Sequence, residues 1–134
     1  MLIKIRDFCK KNRRKFYLSN NVKLALKTNL DGVYLPSFNR DIKHLSYNIK
    51  KKFLFIGSAH NIKEIRIKEY QKVNQIFISS LFKVEKNFLG FYKFINLSKL
   101  SKNKIIALGG INKNNLKRLS LLKISGYAGI GIFN

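Results

Sequence analysis

Ile105-Ile106-Ala107-Leu108-Gly109-Gly110-Ile111-Asn112 is a short apolar run that breaks on two glycines and then on a helix-capping residue. It reads as a buried strand of a parallel sheet that turns into a helix. Glycines at a strand end let backbone N–H groups approach an anion, and the start of the next helix offers further unpaired N–H groups. The same residues also suit a tight turn capped by Asn112. Alone they name no reaction. A second run, Gly129-Ile130-Gly131-Ile132-Phe133-Asn134, reads as a last strand over 129–133, entered through a turn at Gly126.

Working outward, the same alternation recurs. Phe16-Tyr17-Leu18, Gly32-Val33-Tyr34-Leu35, Phe53-Leu54-Phe55-Ile56, Gln75-Ile76-Phe77-Ile78 and Lys104 to Leu108 read as strands. Pro36 ends the second, because it lacks an N–H and restricts its neighbour, and Gly57 closes the third. Between them lie helical segments at Val22 to Leu26, around Ile62 to Ile67, around Phe91 to Leu97, and from Asn112 or Lys113 to about Leu122. Leu2 to Lys11 reads as a helix ahead of the first strand. Strands spaced by helices argue for parallel βαβ units, and right-handed crossovers reduce the choice to a barrel or an open doubly wound sheet. A closed eight-stranded barrel takes roughly 200 residues or more. With 134 residues, about six strands are expected. An open barrel exposes two sheet edges, which a homodimer or another chain segment would cover.

Apolar residues make up 46% of the chain, enough for a core, and no linker interrupts residues 1–134, so a single domain is expected. No stretch approaches the roughly 20 apolar residues of a transmembrane helix. The N-terminus lacks the apolar segment of a secretory signal. The single Cys9 permits no internal disulfide, which fits a cytoplasmic location. The net charge of +22 favours contact with polyanions, with basic runs at Lys10 to Lys15 and Lys50 to Lys52. Lysines are spread along most segments, however, so a basic solvated surface is preferred over a specific nucleic-acid site. Only six acidic residues are present. They form no carboxylate pair for sugar hydrolysis, and no Cys/His cluster suits zinc.

In parallel α/β folds, ligands meet the C-terminal strand ends. The residues expected there are Ser19-Asn20-Asn21, Tyr34 to Asn39, Ser58 to Asn61, Ser79-Ser80, Gly109-Gly110 and Asn134. Ser58 would donate to a ligand oxygen, and His60 would either exchange a proton or serve as a structural cap. Ser79 and Ser80 would bind a ligand or their own backbone. Lys83 and Lys86 lie in a long loop, where a lysine would neutralise a diphosphate or simply be solvated. His44 has no comparable strand-end setting and is assigned no chemistry. Mg²⁺ prefers carboxylates and phosphate oxygens, and the inferred mouth offers only Asn20 and Asn39.

Several of these segments, in order, resemble the thiamine phosphate synthase and TenI-like family. They are Asp31 to Leu35, Ser58-Ala59-His60-Asn61 with Glu64, Ser79-Ser80-Leu81-Phe82, Ala107 to Asn112, and Gly126 to Asn134. The resemblance implies a TIM barrel of which this sequence lacks the first two strands, hence a partial, TIM-barrel-like parallel β/α fold. It implies a transferase joining an aminopyrimidine diphosphate to a thiazole phosphate, with Mg²⁺ if the protein is active. The amides of Gly109 and Gly110 and the region at Asn134 would hold the thiazole phosphate. Ser58 and Lys86 would contact the diphosphate, with His60, Ser79 and Ser80 beside them. Two expected metal aspartates correspond to Asn20 and Asn39. The alternative is a noncatalytic TenI-like binding or regulatory protein for a phosphorylated thiamine-related compound.

Overall fold

The computed structural model describes residues 1–82, 86 and 88–133. Helix α1 (Leu2–Lys11) precedes β1 (Tyr17–Ser19), α2 (Val22–Lys27), β2 (Gly32–Leu35), β3 (Leu54–Ala59), α3 (Ile62–Tyr70), β4 (Gln75–Ile78), α4 (Gly90–Leu100), β5 (Lys104–Leu108) and β6 (Gly126–Ala128). Short 3-10 helices occupy Lys43–Ser46 and Leu116–Leu121. The six strands form one parallel sheet in sequential order, β1 to β6. The sheet curls into part of a barrel, as expected.

Register and side-chain alternation sort the sheet into two faces. Val33 pairs with Phe55, and Ile78 with Ala107. These residues, with Leu35, Ala59, Ile76 and Ile105, are buried against Ala25, Ile65 and Phe94 of the helices. This outer face holds the core. The concave face carries Tyr34, Ile56, Ser58, Phe77, Ile106 and Leu108, and the Tyr34 and Phe77 rings meet at 5.8 Å.

Local chemistry sets the helix ends. Asn21 Oδ1 accepts from the Leu24 N–H at 3.0 Å, and Asn61 Oδ1 from the Glu64 N–H at 3.0 Å. Each of α1, α2 and α3 is followed by a residue in the left-handed region, at Arg13, Asn29 and Lys72. That turn returns the chain toward the next strand.

Three expectations are corrected. Strand β3 does not close at Gly57 but runs on through Ser58 and Ala59. The segment after Asn112 forms no α-helix; side chains of its own asparagines cap the backbone, and only the 3-10 turn Leu116–Leu121 follows. The last strand is Gly126–Ala128, ahead of the expected 129–133, and Gly131 at φ +81° breaks extended geometry. His44, to which no chemistry was assigned, lies on the 3-10 turn and is buried against Phe55 at 4.7 Å between ring centres.

Candidate functional site

The C-terminal strand ends gather on one rim. Parallel register places Ser58 beside Phe77, Ile78 beside Ala107, and Leu108 beside Ala128. Ser58, Ser79-Ser80 and Gly109-Gly110 therefore end three adjacent strands. Ser58 is buried inside β3 on the concave face, one residue before the outward-facing Ala59.

The turn after β5 is anchored through its carbonyls. Leu108 C=O accepts from the Leu81 N–H at 2.9 Å, and Gly109 C=O from the Phe82 N–H at 3.1 Å. Gly110 C=O accepts from Asn115 Nδ2 at 2.7 Å. In a planar trans peptide the N–H points opposite to the carbonyl. The N–H groups of Gly109, Gly110 and Ile111 are thereby turned away from these three anchors. None of them donates a hydrogen bond among the described residues. Gly109 stands at φ +103°, and a Cβ there would overlap Ser80. Ser80 Oγ itself donates to the Phe82 carbonyl at 3.2 Å. Asn115 was not among the expected residues, and its signal in the sequence is the three-residue spacing from Asn112.

The next stretch of backbone does not offer the unpaired donors expected of it. The Asn112 N–H donates to Asn115 Oδ1 at 2.9 Å, and Asn112 Oδ1 accepts from the N–H groups of Asn114 at 2.9 Å and Asn115 at 3.2 Å. The N–H groups without partners among the described residues lie instead in the glycine turn. Beside it, Ile111, Asn112, Lys113, Asn114, Ile130, Gly131 and Ile132 line an open cavity of about 420 Å³.

His60 is held as a cap. Its N–H donates to Glu64 Oε2 at 2.6 Å, and its Nδ1 lies 3.0 Å from the same oxygen. The ring stays about half exposed at the rim. Lys86 is exposed. Asn134 and Lys83 lie outside the described residues.

At the opposite side of the rim, Asn39 Nδ2 donates to Asn20 Oδ1. Asn39 Oδ1 already accepts from Gln71 Nε2 at 3.0 Å and from the Asp41 N–H at 2.8 Å. The Asn39 carbonyl accepts from Lys68 Nζ at 2.8 Å. Lys68 is 0% exposed, and its ammonium also reaches Gln71 Oε1 at 2.9 Å. Burial lowers the Lys68 pKa to about 8, opposed by the nearby Glu64 carboxylate. His44 Nε2 lies 2.8 Å from the Gln71 carbonyl, so it carries the proton. Asp41 is the nearby carboxylate, and its Oδ1 accepts from the Lys43 N–H at 2.8 Å. These donors do not fit Mg²⁺. The two amides satisfy each other, the remaining Asn39 oxygens are taken, and a cation already sits beside them. Among the described residues no three acidic, histidine or cysteine side chains group for a metal. Lys68 and Gln71 were not among the residues expected at the rim. The signal for Lys68 was a lysine three residues after the buried Ile65 on α3.

Six consecutive parallel strands with polar and glycine-bearing ends on one rim define a partial β/α-barrel-type fold, the C-terminal strand ends being where such folds meet their ligands. The chain belongs to the thiamine monophosphate synthase (TMP-TENI) family, whose family model matches residues 1–132. A thiamine-phosphate synthase of Methanococcus vannielii is 26% identical over 93% of this chain and 62% of its own length. That of Prochlorococcus marinus is 33% identical over 94% of this chain and 37% of its own length. A thiamine phosphate pyrophosphorylase from Pyrococcus furiosus shares the fold at TM-score 0.78 and 22% identity, covering 96% of this chain and 63% of that one. This chain thus spans less than two thirds of these relatives. No helix among the described residues is long and apolar enough to cross a membrane.

Proposed function

We propose that this chain binds a phosphorylated thiazole at the β5 strand end and acts as a thiamine phosphate synthase-like transferase. The reaction would join that thiazole to an aminopyrimidine diphosphate and release diphosphate. The single observation that carries the reading is the glycine turn. Its carbonyls are anchored by Leu81, Phe82 and Asn115, and the N–H groups of Gly109, Gly110 and Ile111 are without partners among the described residues. Preset donors of this kind hold a phosphate without reorganisation. Ser58 and Ser80 end the neighbouring strands and would orient the second reactant. The chemistry would rest on orientation and charge stabilisation, with no protein nucleophile. No step is assigned to Mg²⁺ on the protein, because Asn20 and Asn39 do not fit it. Closure of the barrel would come from a homodimer or a completing partner at the β1 and β6 edges.

The Asn20–Asn39 pairing favours a second reading, a TenI-like protein that binds the phosphorylated compound without turnover. One experiment separates them. The purified chain is mixed with both phosphorylated precursors, with and without Mg²⁺, while thiamine monophosphate and diphosphate are measured and each precursor is titrated separately. Product supports the transferase. Saturable binding without product supports the second reading. If neither precursor binds, both are wrong.

A further inference from the structure

We infer that a buried lysine and an amide pair do at the β1–β2 rim what a divalent cation and two carboxylates would otherwise do, with Lys68 as the positioning residue. Asn20 and Asn39 meet as donor and acceptor, so they close without a charge between them. Two carboxylates at the same approach would repel and would need a cation or a proton. The Lys68 ammonium supplies the local positive charge from behind. It enters from α3 on the helix side of the sheet and donates to the Asn39 carbonyl at 2.8 Å. Gln71 binds the same loop three times, at the Asn39 carbonyl (3.2 Å), Asn39 Oδ1 (3.0 Å) and the Asp41 carbonyl (2.9 Å). Gly57 supplies the room, because the Lys68 stem occupies the space of its missing side chain. Each part suits the others: small residue, long cation, fixed loop, neutral pair. This inference goes beyond the phosphate reading and stands independently of it.

The test uses MgCl2 alone as probe, with NaCl of equal ionic strength as control. Thermal unfolding is followed for the whole chain, for Asn20→Asp/Asn39→Asp, and for that double variant with Lys68→Met added. The wild-type midpoint is expected to be the same in both salts. The double variant should become Mg²⁺-dependent, with a higher midpoint in MgCl2. Removing Lys68 should tighten apparent Mg²⁺ affinity by about tenfold or more relative to the double variant, since the resident cation no longer competes. A specific Mg²⁺ response in the wild type overturns the inference, as does a double variant indifferent to Mg²⁺. Equal affinities with and without Lys68 overturn the role given to that residue. The first two chains decide the main claim even where the triple variant does not fold.

Discussion

Gly57 and Lys68 share one space: a Cβ built on Gly57 would lie 2.6 Å from Lys68 Cδ and 3.3 Å from Val73 Cγ1. The lysine stem cannot retreat freely, because its ammonium is tied to Asn39 and Gln71. Gly57→Ala is therefore expected to destabilise the fold by about 1–3 kcal/mol through overpacking. In a Lys68→Ala background the same change should cost less, and a double-mutant cycle by urea unfolding should return a coupling of about 0.5–3 kcal/mol. Additive effects at the two sites would refute the steric link.

Lys68 also makes a pH prediction. Its pKa is lowered to about 8 because burial strips water from the ammonium, while Glu64 pulls the other way. Asp41 and His44 stand on the loop that packs against the same cluster. In the unfolded chain the lysine titrates near its ordinary 10.5. Between these values the unfolded state holds the proton and the folded state releases it, so stability rises with pH across that interval. Below about 8 the buried charge weakens the fold by its full amount. Urea unfolding of wild type and Lys68→Met should show the wild type gaining, relative to the variant, on the order of 2–3 kcal/mol across the window. A constant difference would mean that the folded lysine titrates normally.

The elements legible in the sequence were those set by local pattern. Gly32–Leu35, Gln75–Ile78 and Lys104–Leu108 are apolar runs bounded by turn residues, and they are strands as read. The segment after Asn112 misled because its asparagines compete with the helix for the same N–H groups, which apolar spacing does not report. Gly109 and Gly110 were visible because φ > 0 selects glycine. Lys68 was not, because its burial depends on Gly57 eleven positions earlier and on a loop from β2. Its three-residue spacing from the buried Ile65 puts it on the inner face of α3, but that spacing alone does not tell a buried ammonium from one that reaches out to water.

Lys72 closes α3 at φ +54° and is exposed. A left-handed L-residue with a Cβ strains against its own carbonyl, by about 1–2 kcal/mol. Its N–H donates to the Glu69 carbonyl at 3.0 Å, which glycine preserves. Lys72→Gly should stabilise the chain by about 0.5–1 kcal/mol, the strain relieved less the added freedom of the unfolded state. A thermal melt checks the sign, and Lys72→Ala, which keeps the Cβ, should gain nothing.

Gly109 separates the proposed anion site from mere stability. Its φ of +103° is poorly open to alanine, and the added Cβ would overlap Ser80. Gly109→Ala is expected to cost about 1–3 kcal/mol of stability through strain. It should also weaken binding of the thiazole phosphate at least tenfold, because the Gly109 and Gly110 amides would be displaced from their preset direction. Loss of stability alone would produce the first effect without the second, so binding is measured on the folded fraction by calorimetry at low temperature. Asn115→Ala supplies the independent arm. It leaves Gly109 untouched but releases the Gly110 carbonyl, now held at 2.7 Å, and with it the direction of the Ile111 N–H. A several-fold loss of affinity is expected there too. Undiminished binding in both folded variants would show that the glycine turn does not hold the ligand.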